Sequence, residues 1–395
     1  MTPGRKIPDA RDAVRAILDD VIATRRDLHR HPELSTEEHR TQRCIIDRLH
    51  ALGLDDVREI ADTGVTGVVR GGAPGPSLLW RADIDGLPLQ EETGLPFASE
   101  TAGVMHACGH DGHTAIALGL ASLLHAQRDR LRGGVRFAFQ PAEERIGGAR
   151  RMIDQGALDG VDRVFGLHIW ATDPTGEVRV APGPIFAAAT HFRIIVRGHG
   201  GHASAPHETI DPIVVAAHIV VALQTVVSRS VPAHETAVLT VGRLEAGVRG
   251  NIIPDEAMMS GTIRTYEPPV LSRMLDRMQE VVAGVSSAFG ASCLFDHSTL
   301  PAVVNDPACA RIVEDAATAL LGREHVAPAR TTGADDMAYF LERAHGAYFM
   351  LGGRPPDGRA FPHHHPKFDF DERCLPLGIE LGLRIIENAT ESQLT

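Results

Sequence analysis

Five short segments carry side chains suited to holding a metal ion and moving a proton. They are Arg81-Ala82-Asp83-Ile84-Asp85, His106-Ala107-Cys108-Gly109-His110-Asp111-Gly112-His113, Pro141-Ala142-Glu143-Glu144, His168 within Val164–Trp170, and Pro362-His363-His364-His365-Pro366. Each alone says little. A single histidine near a strand end is more often a hydrogen-bonded rim residue than a ligand. Cys108 by itself reads as a small buried hydrophobe. The histidine run between prolines reads as a solvated loop, and Glu143-Glu144 as a charged turn. Together they read differently, because gathering so many ionisable groups without a cation is costly. A thiol, imidazoles and carboxylates in one crevice are metal-ligand chemistry.

The elements that must gather them are legible. Apolar runs at Ser77–Ile84, Val135–Gln140, Val164–Trp170 and Ala347–Leu351 are accompanied by helical stretches at Thr114–Gln127 and Ala149–Gln155 and by a final helix. Continuous apolar strands separated by helices predict a mostly parallel sheet covered on both faces. In such sheets ligands lie beyond the carboxyl ends of the strands, which is where the five segments fall. Ahead of the first strand, Ser35-Thr36-Glu37-Glu38 matches a capping box and Gly53 sits where a helix ends.

The region 188–298 has another pattern: strand 190–198, helix 212–229, strands 236–243 and 256–265, helix 268–288 and strand 291–298. That β-α-β-β-α-β order is ferredoxin-like. The expected architecture is therefore α/β, with a discontinuous catalytic domain at 1–187 and 299–395. A smaller α+β domain at 188–298 is inserted into it as a lid or dimerisation module.

Composition narrows the partners. The chain has 395 residues and a formal net charge of −12, which argues against a nucleic-acid backbone or an anionic membrane. The apolar stretch Ile213–Val227 is interrupted by His218 and Gln224 and is too short to span a bilayer. The first residues, MTPGRKIPDARDAV, hold no apolar leader core, so a cytoplasmic location is expected. Five scattered cysteines read as reduced thiols. Against 3 Tyr and 2 Trp the chain carries 21 His, and that excess directs attention to the histidine clusters.

The strings WRADIDGLPLQEETGLPFAS, MHACGHDGHTA, QPAEE, GLHIW, GHGGHASAPH, GNIIPDEA, GTIRT and HHPKFDF follow in that order along the chain. From about His29 to Glu372 the sequence resembles the aminoacylase/hippurate hydrolase group of dinuclear metallopeptidases, which includes auxin-conjugate amidohydrolases. The resemblance implies two divalent ions per chain, held by Cys108, His110, Glu144, His168 and His364. His364 is the histidine that Pro366 sets in a His-x-Pro register. Glu143 matches the general base, and Asp83 the acid that orients the site. His202, with Pro206, matches a histidine that reaches the partner subunit's active site, while Asn251 and Arg264 match grips on the substrate carboxylate. Arg145 stands where the group usually has Gly, and Asp335-Asp336-Met337 where it has Glu-Asp-Phe. These departures bear on pocket shape more than on the metal set.

The chemistry suits an amide hydrolase. Two close cations can share a water, lower its pKa and polarise a carbonyl. A carboxylate beside that water can take its proton and pass it to the departing amine, which divides the labour between Glu143 and Glu144. His202 would donate to the tetrahedral oxyanion, and Arg264 would select a free acid bidentately. Manganese, zinc, cobalt and nickel all suit the donor set. The expected function is metal-dependent hydrolysis of an N-acyl-L-amino acid by a homodimer or higher homo-oligomer. No nucleic-acid or membrane partner is expected. A dipeptidase or carboxypeptidase using the same metals is the second reading, separated by its acceptance of a free α-amine. A non-catalytic binder is disfavoured, because the base and the full ligand set are present.

Overall fold

A computed structural model of the chain describes residues 10–394. The stretch 1–9, part of the segment read above for a leader, lies outside the described residues. The chain forms two compact units. Among the described residues one comprises 10–185, 304–330 and 336–394, and the other 186–303 and 331–335.

In the larger unit the chain runs α1 (Ala10–Arg30), α2 (His39–Leu52), β1 (Asp55–Ile60), β2 (Gly64–Arg70), β3 (Ala73–Asp83), α3 (His110–Ala126), β4 (Arg132–Gln140), α4 (Gly148–Asp154), β5 (Arg163–Trp170) and β6 (Val178–Arg179). A short strand, β7 (Gly183–Phe186), leads into the smaller unit. There follow β8 (Ala188–Arg197), β9 (Gly201–His202), α5 (Pro212–Ser230), β10 (Ala237–Ala246), β11 (Ile252–Ile253), β12 (Glu256–Thr265), α6 (Pro268–Ala288) and β13 (Ser292–Leu300). The chain returns through β14 (Val303–Asn305), α7 (Pro307–Leu321), β15 (Val326–Ala327), α8 (Met337–Arg343), β16 (His345–Gly352) and α9 (Cys374–Thr390).

The large sheet has the order β1-β2-β4-β3-β5-β16-β6-β15. Its centre is parallel: β3 pairs in parallel with β4 and β5, and β16 with β5. From β3 the chain moves to β4 on one side and then crosses to β5 on the other. Such a reversal opens a crevice at the carboxyl ends of the strands. Successive side chains of β3 face opposite sides. Trp80 meets α9 at Gly382, whereas Arg81 reaches Asp336, the residue capping α8. Both faces of the sheet are therefore covered.

Two readings change here. The stretch 35–38 is not a capping box. Thr36 has φ +74°, Glu38 occupies the N-cap of α2 without a side-chain cap bond, and Ser35 donates instead to Asp85 Oδ2 at 2.6 Å. Tertiary hydrogen bonds have captured the side chains that would have capped the helix. The reading also passed over α1, whose buried stripe includes Val14, Val21 and Leu28. Gly53 does end α2, in the left-handed conformation at φ +75°.

In the smaller unit four antiparallel strands take the order β10-β12-β8-β13. Phe192, Ile194 and Val196 alternate along β8 and pack against Ile219 and Leu223 of α5 and Met274 and Met278 of α6. Asp211 caps α5 by accepting from the Ile213 amide, with Pro212 at the first helical position. Among the described residues α5 is the one helix long and apolar enough to cross a membrane. Its Val215, Ile219, Leu223 and Val226 are buried in the unit's own core.

Candidate active site

The carboxyl ends of β3, β4 and β5 and the loop after β16 bring the ionisable groups of the larger unit together. Asp83 ends β3, Glu143 and Glu144 follow β4, His168 lies near the end of β5, and His364 lies in the loop between β16 and α9. Cys108 and His110 flank Gly109 at the start of α3. Gly109 has φ +92°, a backbone setting open to glycine, and it lets the chain turn into the helix between the two donors.

Ligand-type atoms form two triads that share Cys108. One is Cys108, His110 and His168, the other Cys108, Glu144 and His364, and within each the donor atoms lie within 4.8 Å of one another. Cys108 Sγ is 3.5 Å from His168 Nε2, and His364 Nε2 is 3.2 Å from Glu144 Oε1. His110 joins Glu143 and Glu144 in a further group.

Hydrogen bonds fix which nitrogens face inward. His110 Nδ1 lies 2.9 Å from the Asp85 carbonyl and 3.2 Å from its carboxylate, both acceptors, so Nδ1 carries a proton. Its Nε2 is buried without a hydrogen-bond partner. His168 Nδ1 donates to the Ile169 carbonyl at 2.8 Å, which turns Nε2 toward Cys108. A buried imidazole nitrogen without a hydrogen bond, 3.7 Å from Asp83 Oδ2 and grouped with a thiol, fits a metal ion.

The electrostatics point the same way. Burial alone would lower the His110 pKa, but Asp83, Asp85 and Glu144 outweigh it and raise it to about 10. The carboxylates that favour a charged imidazole here would also favour a cation beside them. His168 is pushed well down by burial, with His113 and His363 adding to the effect. Burial opposes ionisation of Asp83, yet Arg81, His110 and His113 hold its carboxyl well below the usual range.

Four residues that sequence reasoning missed support this cluster. Arg81 donates to Asp83 Oδ2 at 2.6 Å, to Gln140 at 2.8 Å and to Asp336 at 3.0 Å. Asp336, the unchanged middle residue of Asp335-Asp336-Met337, is fully buried and also accepts from Gln140 and from the Ala149 amide. His113 bonds Asp83 Oδ1 through Nδ1 at 2.6 Å and accepts the Ile169 amide on Nε2 at 2.8 Å. His363 donates from Nε2 to the Ile169 carbonyl at 3.0 Å. Asp83 is thus tied through His113 to the backbone beside His168. The i, i+3 spacing of His110 and His113 signalled a shared helix face. Arg145, the other departure, is exposed.

His202, Asn251 and Arg264 belong to the smaller unit. His202 is exposed on β9 and pairs with Ile252 of β11, next to Asn251. The Ser204 amide donates to His202 Nδ1 at 3.1 Å, so the ring proton sits on Nε2 as a free donor. Arg264 lies half-buried on β12, where burial lowers its pKa, and donates to the Ile263 carbonyl at 3.1 Å.

The profile described as Peptidase family M20/M25/M40 matches residues 79–388. Thermostable carboxypeptidase 1 of Saccharolobus solfataricus is 40% identical over 371 residues, 92% of this chain and 94% of that protein. The N-acyl-L-amino acid amidohydrolase of Geobacillus stearothermophilus is 42% identical over 296 residues, 74% of this chain and 80% of its own. A solved Bacillus subtilis structure, described as a dinuclear metal binding peptidase from the M20 family, has a TM-score of 0.85 and 35% identity. It covers 96% of this chain and 100% of that one.

Proposed function

Because the chain belongs to peptidase family M20/M25/M40, we propose that it is a metal-dependent amidohydrolase. It cleaves an N-acyl-L-amino acid into a carboxylic acid and a free amino acid. The observation that carries the reading is the pair of triads meeting at Cys108, with Glu143 grouped beside His110 and Glu144.

In this reading Cys108, His110, His168, Glu144 and His364 would hold two divalent ions. When bound, such ions polarise a carbonyl and acidify water. Glu143 takes the proton of the attacking water and passes it to the departing amine. Asp83, fixed by Arg81 and His113, orients the donors. His202 would donate a hydrogen bond from its Nε2–H to the oxyanion in the active site of a second subunit. Arg264 and Asn251 hold the substrate carboxylate. The ions are manganese, zinc, cobalt or nickel, since the mixed sulfur, nitrogen and oxygen set suits each of them.

The proposed division keeps a catalytic domain at 1–187 and 299–395 and a ferredoxin-like lid and dimerisation domain at 188–298, although residues 331–335 group with the smaller compact unit. The antiparallel β10-β12-β8-β13 order supports that reading of the smaller unit. Its edge strands β10 and β13 are available to pair in a homodimer. The location is cytoplasmic. A carboxypeptidase reading stands beside the main one because of the similarity to thermostable carboxypeptidase 1.

The test is release of free amino acid from benzoyl, acetyl, indoleacetyl and succinyl amino acids, with added manganese or zinc and a chelator control. We expect chelator-sensitive release. Glu143→Gln should lower turnover about 10²–10⁴-fold with metal content intact. Faster cleavage of substrates with a free α-amine would favour the peptidase reading, and unchanged turnover would remove Glu143 from its role.

A further inference from the structure

Glu143 follows a residue held in an unfavourable backbone conformation. Ala142 is buried and has φ +53°. That left-handed setting costs a non-glycine residue on the order of 1 kcal/mol or more and persists where the surroundings impose it. Its amide donates to Glu38 Oε1 at 2.8 Å.

Glu38 is itself fully buried, and its other oxygen accepts the Thr63 hydroxyl. Burying a carboxylate is expensive unless its oxygens are used. As the N-cap residue of α2 it could have turned back to its own helix, but it makes no cap bond there. It reaches across to the loop after β4. The same loop is gripped on its other side: the Glu144 amide donates to Asp85 Oδ2 at 3.1 Å, and Ser35 donates to that oxygen at 2.6 Å. Within the loop, the Ile146 amide bonds the Glu143 carbonyl at 2.8 Å. Gly148 packs so closely that a Cβ there would stand 1.5 Å from the Pro141 carbonyl oxygen. The turn is thus clamped from α2, from the end of β3 and from the start of α4.

We infer that Glu38 is a positioning residue for the general base. By holding the Ala142 amide it keeps residue 142 left-handed, and so sets the direction in which the Glu143 carboxylate leaves the loop. The inference rests on the role proposed for Glu143. If the Ala142 amide were released, φ would relax to negative values and carry Glu143 away from its working position. Misplacement by about 1 Å can cost on the order of 10²-fold in rate.

The test compares Glu38→Ala, Glu38→Gln and Glu38→Ala/Ala142→Gly in the metal-loaded enzyme, on the best-cleaved N-acyl amino acid of the panel above. Glu38→Ala should lower kcat about 10²-fold, with KM within about twofold and metal content unchanged. Glu38→Gln keeps an acceptor for the amide and should stay within about threefold of the wild type. Glycine adopts positive φ freely, so the double variant should recover about tenfold of the loss. Amide exchange gives a readout independent of turnover, because Ala142 should exchange faster in Glu38→Ala. If Glu38→Ala does not fold, Glu38→Asp replaces it, since that carboxylate is one carbon too short to reach the amide. Equal losses in Ala and Gln variants, a change confined to KM, no recovery in the double variant, or unchanged exchange at Ala142 would each overturn the inference. A wild type that cleaves nothing would instead remove the role of Glu143, and exchange alone would then decide whether Glu38 holds the turn.

Discussion

The candidate site residues of the larger unit hold one another in place through side-chain charges, whereas His202 and Arg264 of the smaller unit bond a nearby serine and a backbone carbonyl. His110 is buried among Asp83, Asp85 and Glu144. Asp83 in turn depends on Arg81 and His113, and Arg81 on Gln140 and Asp336. His202, by contrast, stands exposed on a two-stranded ladder with Ser204 at its ring, and Arg264 bonds the carbonyl of the residue before it. A buried network of charges shares its positional information, so the loss of one member leaves others uncompensated. A residue on a ladder takes its position from strand pairing, which survives the loss of its side chain. The two regions should therefore answer mutation in opposite ways.

The strongest way to break that contrast is at Arg81. Both Arg81 and its partners Asp83 and Asp336 are fully buried. Arg81→Met would remove a shared cation from two buried carboxylates, and we expect a loss of about 3–5 kcal/mol in denaturant unfolding. Metal affinity should fall as well, because Asp83 would no longer be fixed. A variant as stable as the wild type would show that the network is not held by its charges.

The next test sits in the smaller unit and inverts the pattern. His202→Ala should lower kcat about 10²–10³-fold, as expected for loss of one oxyanion donor, while the unfolding midpoint moves by no more than about 0.5 kcal/mol. Large loss of stability at this exposed position would erase the distinction between the regions. Full activity would take His202 out of the reaction.

The same contrast explains what could be read from the chain. In the smaller unit β8 alternates and α5 opens with Asp211 and Pro212, so periodicity and capping reproduce the elements to within a few residues. These signals are local, and so is the structure they specify. In the larger unit Asp83, Glu143 and His168 could be placed at strand ends, since a parallel sheet gathers such ends. Ser35 and Glu38 could not be read in the same way. Their partners, Asp85 and Ala142, lie 50 and 104 residues away, and the local pattern imitates a capping box. Asp336, the unchanged middle residue of Asp335-Asp336-Met337, could not be assigned a role because nothing local shows that it carries Arg81. His113 was visible as a histidine on the face of His110, but its two partners come from β3 and β5.

The subtlest prediction concerns the ground behind His110. His29 is buried between Asp111, 2.9 Å from its Nδ1, and Glu91, 3.4 Å from its Nε2. Burial and the nearby Arg25 oppose its charge, but Asp111 and Glu91 prevail and hold its pKa above the ordinary 6.5. The folded chain therefore binds this proton more tightly than the unfolded chain does. The resulting stability is fully present below pH 6.5 and is lost as pH rises through the raised value. His29→Gln keeps a donor for one carboxylate and cannot titrate. Measured as unfolding midpoints across pH, the wild type should lose stability above pH 6.5 more steeply than the variant. Parallel curves would mean that His29 is neutral in the folded chain and that Arg25 alone balances Asp111. The larger unit's mutual dependence would then end at Arg25 and Asp111 and would not extend to the imidazole behind them.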